Sequence, residues 1–220
     1  SIIRRIGKGW CEGKLKTGWQ AELNKILRLR GISHVVPYHT HGSKHDHNSR
    51  QFTYILFDYI PGNNLKDFIK DSPALLNIAF IEKIAKTVLT VLYACQAEGI
   101  QHGDLHEGNI LIREPDKRLP GSPTTIWISD FGYGGSYNDK IPKDDYRQLS
   151  SIISTLINKL APSDLNPRDK VMHQKLRDFA KKKLLEVDTT QGIYVNNPET
   201  LLEDLDRLSI EAERESAAAG

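Results

Sequence analysis

Read for its apolar and polar positions, the chain begins with a short alternation and moves through helical spacing, further alternation and then mostly helical spacing. Residues 1–6 alternate as a strand with Ile2, Arg4 and Ile6 on one face. A Gly- and Lys-rich connection over 7–18 leads to apolar positions at Leu23, Ile26, Leu27 and Leu29, which predict a helix over 19–30 closed by Gly31. Two further strands are predicted over 34–38 and 51–60, separated by a polar loop, and Pro61 to Asn64 supply turn residues. A short helix follows over 65–70. A longer one is expected over 77–98, with a stripe at Ile81, Ile84, Val88, Val91, Leu92 and Cys95, and Gly99 ends it. Residues 110–112 and 125–129 read as a hairpin across a Pro- and Gly-rich insertion at 114–123. Leu149, Ile152, Ile153, Leu156 and Ile157 mark a buried helix, with more helix over 179–188 and 198–202, and the charged, then Ala-rich tail from Ile210 is expected to fray.

Composition narrows the partners. At 220 residues there is room for one sizeable domain or two small lobes, and 39% hydrophobic with 26% charged residues is ordinary for a globular protein. Lys plus Arg (30) nearly balances Asp plus Glu (28), so no global field argues for nucleic acid or an anionic membrane. No apolar run has the length of a membrane span. Cys11 and Cys95 have no paired spacing, which points to a reducing, cytoplasmic setting without a thiolate metal site. His39, His41, His45 and His47 beside Asp46 could grip a transition metal, although such a run is more often a solvated hairpin tip.

The chemistry concentrates in two places. The first is His102-Gly103-Asp104-Leu105-His106-Glu107-Gly108-Asn109, with an Asn five positions after an Asp. The second is Asp130-Phe131-Gly132, reached after a short strand, a turn and another strand. Such an order converges one base and two oxygen ligands, which suits phosphoryl transfer from a nucleotide–Mg²⁺ complex. The pair of motifs resembles the protein-kinase-like superfamily. That resemblance implies an α+β, bilobal fold with a truncated N-lobe sheet over 1–60, a reduced, mostly helical C-lobe over 61–209, and a tail over 210–220.

The same resemblance assigns roles to particular residues. Asp104 would be the base, and Asn109 and Asp130 would hold Mg²⁺. Leu111 would floor the adenine of ATP with Ile2 above it. Phe57 would guard the back of that pocket, and the backbone of Asp58 and Ile60 would meet the purine edge, although an ordinary strand end would look alike. Arg4 stands where the superfamily has a phosphate-binding Lys, with Glu22 as its partner on the following helix. That is a departure, because a guanidinium fork does not simply replace an ammonium, and a surface Arg pair is the plainer reading. Gly7 to Gly13 does not serve as the phosphate-covering loop, since Gly13 and Glu22 are too close for the strands that should intervene. The first two strands and that loop then fall outside this chain. His106 occupies the place of a Lys that reaches the γ-phosphate. Asp145 would brace the catalytic loop, its alternative being a plain helix cap.

Two absences match. No Ala-Pro-Glu follows Gly132, and Asn197 stands where an Arg would pair with that Glu. Losing both halves leaves no charge stranded. Gly103 replaces the Arg that contacts a phosphorylated loop, so regulation by loop phosphorylation is not expected. Three functions compete. The first is an ATP-dependent serine/threonine kinase acting on a protein. The second is a small-molecule kinase resembling aminoglycoside phosphotransferases, favoured by His-Gly-Asp-Leu-His. The third is an inactive kinase-derived binding module, favoured by Arg4.

Overall fold

The computed structural model describes residues 2–5, 15–45, 51–115, 122–131, 144–188, 193–194 and 197–218, with side chains from Glu22 onward except at 51–52, 187–188 and 193–194. Strand β1 (Ile2–Arg5), helix α1 (Leu15–Arg28), and strands β2 (Tyr38–His45) and β3 (Gln51–Phe57) come first. Strand β4 (Asn63–Asn64), helices α2 (Leu65–Asp71) and α3 (Ile78–Ala97), and strands β5 (Ile110–Arg113) and β6 (Thr125–Ile128) follow. The remainder holds α4 (Asp145–Ile157), α5 (Pro167–Asp178), a π-helical turn (Phe179–Lys183), β7 (Val187–Asp188), β8 (Ile193–Tyr194) and α6 (Pro198–Ala218). This is the expected α+β arrangement, with small sheets towards the N-terminus and helices after them.

The first sheet is antiparallel in the order β1-β3-β2, and the second in the order β4-β5-β6. Under the first lies a small core of Leu23, Ile26 and Ile55, with Tyr38 and Phe57 packed against it. A much larger core is contributed by α2 to α6 together with β5 and β6, and Leu29 at the end of α1 is fully buried in it. One helix thus reaches both cores.

Several boundaries differ from those the sequence predicts, each for a physical reason. Helix α1 starts at Leu15 and carries Gly18 within it. A lone interior Gly costs only about 1 kcal/mol, less than the burial of Leu23, Ile26 and Leu29 returns. The strand expected over 34–38 is displaced. Val35 and Val36 are buried, Val35 bridges Ile128 of β6, and β2 instead begins at Tyr38 and runs through His39, His41 and His45. Backbone pairing with β3 asks nothing of those polar side chains, so the expected loop is mostly strand, with a bulge between Tyr38 and Thr40. Strand β3 ends at Phe57, before the predicted Ile60.

The following turn needs Gly62. Its φ is +141°, and a Cβ there would overlap the Ile112 carbonyl oxygen. The Asn64 side chain then accepts the Asp67 N–H to start α2, and Asn77 does the same for Phe80 at α3. The tail predicted to fray is helical to Ala218 as part of α6, with Ala212 fully buried. Among the described residues no helix is long and apolar enough to cross a membrane. No group of three or more His, Cys, Asp or Glu side chains among them could cage a metal, and His47 lies outside the described residues.

Candidate active site

The loop after α3 is held from the first turns of α4. Asp145 is buried, and its carboxylate accepts N–H bonds from His102 (2.9 Å) and Gly103 (2.8 Å). The Leu105 N–H donates to Gln148 Oε1 at 2.9 Å, one helical turn further along α4. Asp144, not Asp145, caps the helix by accepting the Tyr146 N–H. Burial pushes the Asp145 carboxyl above the usual range, against the two N–H groups that favour its charged form. Gly103 has a φ of +80°, which lets the chain turn at this brace.

His102 ties the loop to the strand that delivers Asp130. Its ring is fully buried and lies 4.6 Å from the Phe131 ring, centroid to centroid. The Asp104 N–H donates to His102 Nδ1 at 3.2 Å, and His102 Nε2 lies 3.1 Å from the Ser129 carbonyl oxygen. An N–H can meet only an acceptor and a carbonyl only a donor, so the ring is neutral with its proton on Nε2. Burial lowers its pKa to about 4.

Asn109 completes the link. Its Nδ2 donates to the Asp104 carbonyl at 2.9 Å, while its own carbonyl accepts both the Ser129 N–H (2.9 Å) and the Ser129 Oγ–H (3.2 Å). With the amide nitrogen spent on that carbonyl, the Asn109 amide oxygen is the end left for a ligand. Asp130 follows Ser129 directly, in the left-handed region at φ +64°. A short polar side chain tolerates this, though a non-glycine residue held there carries strain of about 1–3 kcal/mol. The base candidate and both candidate metal ligands therefore sit on one hydrogen-bonded network.

His106 has a defined orientation as well. The Gly108 N–H donates to His106 Nδ1 at 3.0 Å, so the proton sits on Nε2, which lies 3.8 Å from Asp104 Oδ2. Gly108 is needed for this contact, since a Cβ would come within 2.7 Å of the ring. The ring is half exposed, facing solvent beside Asp104.

The positions expected to face a nucleotide are placed in part. Leu111 is half-buried in β5, opposite Trp127 on one side and Asn64 on the other. Phe57 ends β3 against the small core. The Asp58 N–H donates to the Pro37 carbonyl at 2.9 Å, so of the two backbone groups expected to meet a purine there the N–H is already engaged. Among the described residues no hydrogen bond engages the Ile60 backbone. Glu22 is half-buried on α1 and engaged with a partner. Strand β1 sets the Arg4 backbone opposite Ile55, but the side chains of Ile2 and Arg4 lie outside the described residues. So do Gly132 and the segment to 143.

Sequence reasoning passed over four residues that hold the site together. His102, Ser129 and Gln148 act through bonds to groups distant in sequence, and Lys25 donates to the Gln101 carbonyl at 2.8 Å. Only His102 carried a signal, its place two residues before the base. Asn197, read as a lost ion-pair partner, caps α6 by accepting the Glu199 N–H.

Comparison with known proteins agrees with this geometry. Residues 11–156 match the protein kinase domain family, and the chain belongs to that family. The chain is 26% identical over 117 residues to a probable serine/threonine-protein kinase 2 of Plasmodium falciparum, covering 53% of this chain and 20% of the relative. It is 28% identical over 108 residues to the serine/threonine-protein kinase RAD53 of Saccharomyces cerevisiae, covering 49% of this chain and 11% of that protein. These matches thus span a fifth or less of either curated relative. In fold it is similar to the PknI kinase domain of Mycobacterium tuberculosis, with a TM-score of 0.61 at 15% identity over 94% of this chain and 84% of that one. A point mutant of the same domain gives a TM-score of 0.63 at 17% identity, with the same coverage.

Proposed function

We propose that the chain transfers the γ-phosphoryl group of ATP to a Ser or Thr hydroxyl of a protein, with Mg²⁺ as the metal. The observation that carries this reading is the single network joining the Asp104 backbone, the Asn109 amide, Ser129 and the left-handed Asp130. Family membership and the two serine/threonine kinase relatives support the protein acceptor.

The donor set fits the metal. An amide oxygen and a carboxylate are hard ligands, and a site without a full protein cage suits an ion that keeps waters and phosphate oxygens in its shell. Asn109 and Asp130 would hold it, and when bound it would neutralise negative charge on the phosphates of the nucleotide. Asp104 accepts or orients the proton of the attacking hydroxyl. His106 presents its Nε2–H beside Asp104, where it can donate to a phosphoryl oxygen as charge shifts. Leu111 packs under the base, and the carbonyl of Asp58 with the backbone of Ile60 offers the purine its edge.

A second reading, transfer to a small hydroxylated molecule, draws on His106. A neutral imidazole beside the base takes the place of the ammonium that protein kinases use there.

The test uses radiolabelled ATP with Mg²⁺, offered separately to a protein mixture and to a panel of amino sugars and sugars. Label on protein supports the first reading, and label on the small molecules replaces it with the second. No label on either leaves a binding module. Asp104→Ala is expected to lower transfer at least a hundredfold while sparing nucleotide binding. Asp130→Ala is expected to weaken Mg²⁺–nucleotide binding itself, and unchanged binding would remove Asp130 from the metal site.

A further inference from the structure

Helix α3 ends just before the catalytic loop, and a helix end leaves carbonyls and a partial negative charge to be satisfied. Backbone N–H groups of Glu98, Gly99 and Ile100 take up the last carbonyls of α3, and two cations from the last turn of α1 reach the stretch that follows from across the fold. Arg28 donates to the Glu98 carbonyl, with its Nε 3.3 Å from the Glu98 carboxylate. Lys25 donates to the carbonyl of Gln101, the residue before His102, at 2.8 Å. The Arg28 and Glu98 side chains are about half exposed, and such a solvent-reached pair adds little. Lys25 is half-buried, and burial lowers its pKa while Asp145, Cys95 and Glu22 act on it from around it. Glu22, Lys25 and Leu29 recur at helical spacing, and Leu29 is fully buried in the main core.

We propose that Lys25 is a positioning residue: its bond to the Gln101 carbonyl locks α1 to the entry of the catalytic loop and sets where Glu22 stands relative to Asp104 and Asp130. The chain carries its own latch for this helix. The catalytic consequence rests on the phosphotransferase reading above, whereas the latch itself is a property of the fold.

The experiment compares Lys25→Met, which keeps the apolar stem, with Lys25→Arg, which keeps charge and donor. Amide hydrogen exchange is followed over 22–30, 101–109 and, as a control for general destabilisation, α5. Steady-state transfer is followed as kcat and KM for ATP. K25M is expected to speed exchange over 22–30 and 101–109 with α5 unchanged, and K25R to restore most of the protection. K25M should lower kcat about tenfold to a hundredfold with a smaller change in KM, as misplacement of a catalytic array does. Exchange in K25M equal to that of the natural chain in both segments overturns the latch. So does faster exchange that includes α5 to the same degree. If the natural chain transfers phosphate to nothing, the phosphotransferase reading fails while the exchange comparison still decides the latch. If exchange shifts as expected but kcat does not, the positioning role is overturned.

Discussion

At the scale of single residues, the site depends on His102 staying neutral. Its Nδ1 faces an N–H and its Nε2 faces a carbonyl, so a second proton would have no acceptor and would push against the Asp104 backbone. An unfolded histidine titrates at about 6.5, while this one is lowered to about 4. The unfolded chain therefore binds more protons between those values, and stability falls as pH drops through that window. The loss should approach about 3 kcal/mol once pH is below the folded value. Asp145 acts in the opposite sense, because a carboxyl raised by burial keeps its proton in the folded state at a pH where the unfolded chain has lost it. A comparison with His102→Gln isolates the histidine. Denaturant unfolding between pH 7 and 4 should show the extra loss in the natural chain and not in the variant. Equal slopes in both would mean that His102 can be charged in place.

This residue also shows why part of the site was legible and part was not. Asp104, Asn109 and Asp130 stood out by their order and spacing, and Asp145 by the resemblance those motifs carry. His102 was in plain sight, but its function lies in a bond to Ser129 and a ring contact with Phe131, both across a stretch the sequence does not fold on paper. Lys25 carried no signal in the sequence, and only its bond to the Gln101 carbonyl across the fold gives it a task.

At the scale of elements, periodicity located α3, α4 and the β5–β6 hairpin well, because each is buried by its own apolar positions. It misplaced β2, whose pairing comes from the backbone while its apolar neighbours Val35 and Val36 are drawn to β6. It also misread the end of the chain. The last residues look like a solvated tail, yet Glu211 and Glu215 lie 2.8 and 2.9 Å from Lys175, and Glu213 lies 3.5 Å from Arg168. Between them Ala212 is fully buried. Charges read as solvent-facing are thus partners for α5. Removing residues 210–220 should cost about 1–3 kcal/mol, the sum expected of a few exposed or half-exposed pairs and one buried methyl group. Thermal unfolding of the shortened chain checks this, and an unchanged midpoint would restore the picture of an idle tail.

At the scale of the whole molecule, the two cores are unequal. Among the described residues the small sheet β1-β3-β2 covers a core of three buried side chains, Leu23, Ile26 and Ile55, whereas α2 to α6 share a large continuous one. A region with few buried apolar contacts opens at a lower free energy than the rest. Amides of β2 and β3 should therefore exchange through a partial opening that leaves α3 and α4 closed. A bound nucleotide tests where the ligand's weight falls. At about 100 times its Kd, a ligand held only by the folded state adds about 2.7 kcal/mol of protection to whatever it binds. If ATP with Mg²⁺ lies between the small sheet and β5–β6, as Leu111, Phe57 and Ile60 imply, protection should rise in β3 and β5 together. It should also rise in β1 if Ile2 and Arg4 close over the nucleotide. Protection confined to residues 101–131 would show a ligand held from below alone, and the roles that the resemblance implies for Ile2, Arg4 and Glu22 would have to be given up. Because the lower half of the site is braced by Asp145 and His102 whether or not a nucleotide is present, its protection cannot by itself argue for a closed pocket. The change in the small sheet can.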